Sequence, residues 1–278
     1  MFYLCLAILS SALLSVFMRL SERHIQNNYS LLAVNYAMCS VMAALYAGPG
    51  DLFPRGDGLG TALALGVVGG VLYLGGFLLL QWNVSKNGVV LSATFMKLGV
   101  LVPTLLSVLL FRETLTLAQM LGFVGALCAI LLINAKSGSG KAASGIGLLL
   151  LLLGGGMADA MSKVYEQFGA PALEDHFLFY IFASALILCA GLILSRHQKV
   201  GKAEILFGLL VGVPNYFCSR FLLRALGTIP AVVAFPTFSV GTIVLVTVMG
   251  RLFFGETLDR RRRCAMALIL LSLVLLNL

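Results

Sequence analysis

Apolar residues fill this chain in blocks of about 20, interrupted by short clusters of charge, glycine and proline, and a helix of that length is what a bilayer's hydrocarbon core requires. Cutting at those clusters predicts ten spans, at 2–20, 29–48, 59–82, 89–111, 117–134, 144–164, 175–195, 204–224, 230–253 and 264–278. The first starts at Phe2 with no basic stretch ahead of it and no A-x-A site before Arg19, so it reads as a retained helix rather than a cleaved signal. The Ala135–Ser144 stretch, AKSGSGKAAS, reads as a flexible linker dividing the chain nearly in half.

Composition narrows the class. Of 278 residues, 60% are hydrophobic and 11% charged, against about 25% charged in a soluble domain. Too few charges remain to cover a water-soluble globule, and the disordered, collagen-like and nucleic-acid-binding classes fall with it. The six cysteines all lie in apolar stretches without a CxxC pair, and His24, His176 and His197 fall in connections, so neither disulfides nor a metal site is expected. The linker string GSGK at 138–141 lacks the glycine and hydroxyl positions of a phosphate loop. No nucleophile and base can be placed at one depth, which disfavours an enzyme, and no cofactor is implied.

The halves repeat. At a shift of 144, Arg19 falls on Lys163, Glu22 on Glu166 and Tyr36 on Tyr180; at 142, Gly66 and Gly70 fall on Gly208 and Gly212. At 143, Phe111, Glu113, Thr114 and Leu115 fall on Phe254, Glu256, Thr257 and Leu258. Residues 1–135 and 144–278 therefore form two five-span repeats joined by 136–143. An odd number of spans makes the second copy enter the membrane from the opposite side. Such inverted repeats are the usual architecture of secondary transporters, with a substrate site at the repeat interface near the midplane.

The five-plus-five repeat, with FRETL at 111–115 and FGETL at 254–258 at the corresponding corners, resembles the ten-helix EamA-type branch of the drug/metabolite transporter superfamily. The resemblance covers nearly the whole chain and implies transport of small metabolites or drugs, often export, without a cofactor. It names no substrate. Lys and Arg number 13 on the face opposite the termini and 3 on the face holding them. By the positive-inside rule, both termini lie outside a plasma membrane, such as a bacterial inner membrane. The family's commoner arrangement is the reverse.

Charges inside the spans mark the candidate site. Lys97 lies near mid-span, where an ammonium costs about 2.5–3.5 kcal/mol on insertion scales. It shares a helical face with Thr94 and Thr104, matched in the second repeat by Thr237 and Thr247. Asp159, Lys163 and Glu166 can interact on one face of the sixth span and form a candidate coupling group, with helix-end snorkelling as the plain alternative. The preceding Gly154, Gly155 and Gly156 permit bending or close packing. Arg220 can bind a carboxylate or phosphate through two donors, and Tyr73, Asn215, Tyr216, Tyr36 and Tyr180 are candidate cavity residues, though membrane aromatics commonly only pack. Glu113 and Glu256 read as helix caps; Gly66, Gly70, Gly208 and Gly212 as close-packing positions; and Pro103, Pro214 and Pro236 as kinks.

Two deep cations against one deep acid tilt the substrate toward a carboxylate-bearing or zwitterionic molecule such as an amino acid, exported by alternating access. Protons or a counter-substrate could drive it, with the lipid bilayer as the other partner. Two other readings remain open: a proton-coupled exporter of cationic drugs, and a non-transporting scaffold or lipid-binding subunit.

Overall fold

In a computed structural model, the chain is described over residues 1–48, 50–134, 145–254 and 260–278. The predicted 136–143 linker and the corner residues Glu256, Thr257 and Leu258 lie outside that set. The described residues form helices and no strand. In order, these are α1 (Phe2–Ser21), α2 (Asn28–Ala47), α3 (Leu59–Asn87), α4 (Val89–Leu98), α5 (Leu101–Leu109), α6 (Leu117–Asn134), α7 (Gly145–Phe168), a 3₁₀ turn (Pro171–Leu173), α8 (Glu174–Ser195), α9 (Lys202–Leu226), α10 (Ala231–Phe254) and α11 (Arg260–Leu276). Seven are long and apolar enough to cross a membrane, and three shorter apolar stretches accompany them at Phe95–Leu109, Leu117–Leu132 and Arg263–Leu276.

Local chemistry sets several boundaries. Asn27 caps α2 by accepting from the Tyr29 N–H at 2.9 Å. Thr116 and Gln119 form a reciprocal capping box at the start of α6, at 3.1 and 3.2 Å. Gly88, at φ 79°, separates α3 from α4 in a conformation that side chains other than glycine rarely adopt.

The predicted fourth span, 89–111, is not one helix. It breaks at Gly99–Val100, where the Gly99, Val100 and Val102 amides bond three residues back instead of four. Pro103 supplies the cause: it has no N–H for the Gly99 carbonyl, and its ring crowds that carbonyl. Third and sixth spans are longer than expected, reaching Asn87 and Phe168.

Contacts divide the chain into two compact units. The first comprises Met1–Leu74 and Val164–Gly227, the second Gly75–Lys163 and Thr228–Leu278. In the first, α1 packs on α9, and α2 on both α8 and α9. Glycines let these backbones approach. A Cβ on Gly208 or Gly212 would strike Val34 or Met38 of α2, and one on Gly66 or Gly70 would strike Tyr180 or Ser184 of α8. In the second unit α6 packs on α11 and α5 on α10, around a core of Ala126, Ala129, Ile130, Val240 and Ile269.

Candidate functional site

The second unit holds most of the charged residues singled out from the sequence. Lys97 is the penultimate residue of α4, just before the break. Across from the break stands the triple glycine of α7: a Cβ on Gly99 would lie 3.1 Å from the Gly156 nitrogen, and one on Gly156 would strike the Gly99 carbonyl and Val102. Gly156 thus serves close packing, while a Cβ on Gly155 would meet open space. Asp159, less than one turn further along α7, is near enough to Lys97 for their charges to interact. Both side chains are exposed. Lys97 lies about 12 Å of helix from the start of α4 and Asp159 about 14 Å from the end of α7.

Lys163 is placed differently. It is buried, with 6% exposure, and its Nζ pairs with Glu113 Oε1 at 3.0 Å. The other carboxylate oxygen, Glu113 Oε2, accepts from the Val232 N–H at 2.9 Å in the first turn of α10. Glu113 is therefore a helix cap as expected, but for α10 rather than the helix that follows its own corner. Phe111 lies with its ring centroid 5.6 Å from the same Nζ. Glu166, in the last turns of α7, is half-buried.

The threonine positions separate into two kinds. Thr104 and Thr247 donate to carbonyls four residues back in their own helices, at 2.8 and 2.7 Å. Thr237 Oγ1 is buried without a hydrogen-bond partner among the described residues. The Thr94 side chain lies outside the described set.

In the first unit Arg220 is 7% exposed and already engaged. Its Nη2 donates to Asp175 Oδ2 at 2.9 Å and its Nη1 to the Tyr216 hydroxyl at 3.3 Å, while that hydroxyl donates to Asp175 Oδ1 at 3.3 Å. The guanidinium carbon lies 3.6 Å from the centroid of the Tyr46 ring, a cation–π contact strengthened by desolvation. Arg224 stands 3.9 Å from Glu174 and over the Tyr3 ring at 5.9 Å. Sequence reasoning did not identify Asp175 or Tyr46. The usable signal was the pair of acids opening α8, since two acids and two arginines at neighbouring helix ends can neutralise one another.

The remaining candidates in this unit are mostly held by structural contacts. Asn215 donates to Asn35 Oδ1 at 3.1 Å. The Tyr180 hydroxyl donates to the Leu52 carbonyl at 2.7 Å, tying the α2–α3 connection to α8. Tyr36 is buried, and Tyr73 meets Phe182 edge to face with centroids 6.1 Å apart. The structure thus joins Arg220 with Tyr216 in one unit and Lys97 with Asp159 in the other.

Comparison with known proteins bears on the fold and the family. A solved structure described only as a crystal structure of a protein superposes with a TM-score of 0.74 at 14% identity, covering 99% of this chain and 94% of that one, a likeness of fold. An uncharacterized Haemophilus influenzae protein is 24% identical over 270 residues, spanning 92% of this chain and 91% of its own. Residues 1–135 match the model of the EamA-like transporter family. Residues 1–135 of this chain, whose described residues are helical with apolar spans, thus carry the pattern of the EamA-like transporter family, part of the drug/metabolite transporter superfamily.

Proposed function

We propose that this protein is a secondary transporter that exports a small zwitterionic metabolite, such as an amino acid, by alternating access, and that Lys97 and Asp159 are its central recognition residues. The observation that carries the reading is the exposed, opposite-charge pair beside a broken helix. A charge deep in a span is retained where water or a partner reaches it, and broken helices expose backbone groups at transporter binding sites. Lys97 meets the substrate carboxylate, Asp159 its ammonium, and the Thr237 hydroxyl, without a partner among the described residues, offers a further hydrogen bond. The guanidinium of Arg220 is committed to Asp175 and Tyr216, so we give Arg220 a positioning role.

The ten-span inverted repeat is part of the same proposal, and the helix contacts support it. Gly66 and Gly70 of α3 pack on α8, while their repeat equivalents Gly208 and Gly212 of α9 pack on α2, the equivalent of α8. The pairs α2–α8, α5–α10 and α6–α11 each join a helix to its own repeat counterpart. A two-fold relation between halves generates this exchange.

The test is amino-acid counterflow in proteoliposomes. Lys97→Ala and Asp159→Asn are each expected to lower transport at least tenfold while the protein stays folded. Undiminished transport by both variants would overturn the assignment. Loss in Asp159→Asn alone, with cationic dyes as substrate, would favour the proton-coupled drug exporter instead.

A further inference from the structure

Between α1 and α9, with Met38 of α2 at its floor, the first unit carries a groove of about 810 Å³. Its walls include Leu9, Leu13 and Phe17 of α1 and Leu206, Leu210 and Phe217 of α9. Ser10 is the one lining residue with a polar side-chain group, and it is 9% exposed. Leu9, Leu206 and Leu210 are 42%, 57% and 39% exposed, so the groove opens sideways where a membrane-spanning helix pair meets lipid. From Leu6 to Phe17 it follows α1 for about 17 Å, close to the roughly 15 Å of one leaflet's hydrocarbon.

The two ends differ in charge. Lys202 lies one helical turn before Leu206, on the groove face of α9, and is exposed. The His24 ring packs on Phe207 with centroids 5.2 Å apart, and exposed Arg23 precedes it. Two acids share this end. Glu204 is buried and accepts from the Gln26 and Asn27 amides at 2.8 and 3.3 Å, leaving Glu22 as the exposed one. At the far end, where Phe221 stacks on Tyr3, Arg224 faces Glu174 and presents a balanced pair. An amphiphile seated here is therefore directed with its negative group toward Lys202.

We propose that the groove is a binding site for an anionic phospholipid, one acyl chain lying between α1 and α9 and the headgroup phosphate held by Lys202 and Arg23. The site is separate from the Lys97–Asp159 pair and does not depend on which substrate that pair takes.

Native mass spectrometry of the full-length protein, released from detergent after titration with phosphatidylglycerol or with phosphatidylcholine of the same chains, tests it. Wild type is expected to retain one phosphatidylglycerol in preference to phosphatidylcholine. Lys202→Gln should reduce that preference about fivefold, the weight of one basic side chain at an anionic lipid. Leu13→Trp, which fills the groove, should reduce retention of both lipids, and Leu194→Trp, on the exposed surface of α8, should change neither. Equal retention of the two lipids by wild type, or unchanged retention in Leu13→Trp, overturns the proposal. So does a doubled protein mass in place of lipid adducts, which would assign the groove to a second copy of the chain.

Discussion

Lys163→Met removes the ammonium from a buried pair and leaves the Glu113 carboxylate with the Val232 N–H as its described partner. The two side chains are 8% and 14% exposed, so solvent screens the loss poorly. Deleting one member of a buried pair costs about 3–5 kcal/mol. The surviving charge-assisted bond to α10, at 2.9 Å, holds the expected cost near the lower figure, about 3 kcal/mol. Glu113→Gln retains an acceptor for Val232 but removes the carboxylate charge facing the buried Lys163 ammonium, again at about 3 kcal/mol. The double variant leaves neither charge buried, so its cost is expected to be about 3 kcal/mol rather than the additive 6, a coupling of about 3 kcal/mol. Denaturant titrations in micelles, read by circular dichroism and by the single tryptophan, Trp82, supply the cycle. Additivity within about 0.5 kcal/mol would refute the reasoning, because independent groups couple no further than that.

Three further substitutions test the helix crossing in the second unit, the first unit's open surface and the α4–α5 break. Gly156→Ala places a methyl against the Gly99 carbonyl and Val102 and should destabilise by about 1–3 kcal/mol, whereas Gly191→Ala in α8 meets open space and should stabilise by up to about 1 kcal/mol; equal unfolding midpoints for the two would count against the packing described. Pro103→Ala restores an N–H for the Gly99 carbonyl and should heal the α4–α5 break, leaving unfolding midpoints level or higher while counterflow falls severalfold; unaltered counterflow would show that the break does not serve transport.

The apolar pattern made the membrane class and the glycine packing positions legible, because each depends on local composition. The α4–α5 break was less visible. Pro103 reads as a kink, yet the apolar length of 89–111 argues for one continuous span, and the break lies a turn before the proline, where the Gly99 carbonyl accepts from the Val102 amide in place of the N–H that Pro103 lacks. The T-x-x-Q signature of the capping box at Thr116–Gln119 is readable in the sequence. The partners of Arg220 and Lys163 were not legible in the same way. Asp175 is 45 residues from Arg220 and Glu113 is 50 from Lys163, so neither lies on the other's helix face, and pairing them required knowing which helix ends meet.

Those pairings also separate two uses of a charge in a span. Arg220 stands about 9 Å before the end of α9, and its long side chain ends among an acid and two rings that occupy both terminal nitrogens. Lys163 is buried against a carboxylate that is itself anchored to the start of α10. Either cation would have to abandon a desolvated partner before binding anything else, and that loss exceeds what one new hydrogen bond to a charged group returns, about 1.5–3 kcal/mol. Such groups fix helices in place. Lys97 and Asp159 are opposed in charge but exposed, and this exposure is what the proposed recognition role requires of them. On the proposed function, a zwitterion would set one of its ends against each of these two charges, and that complementarity is what the pair at the broken helix offers and a committed cation does not.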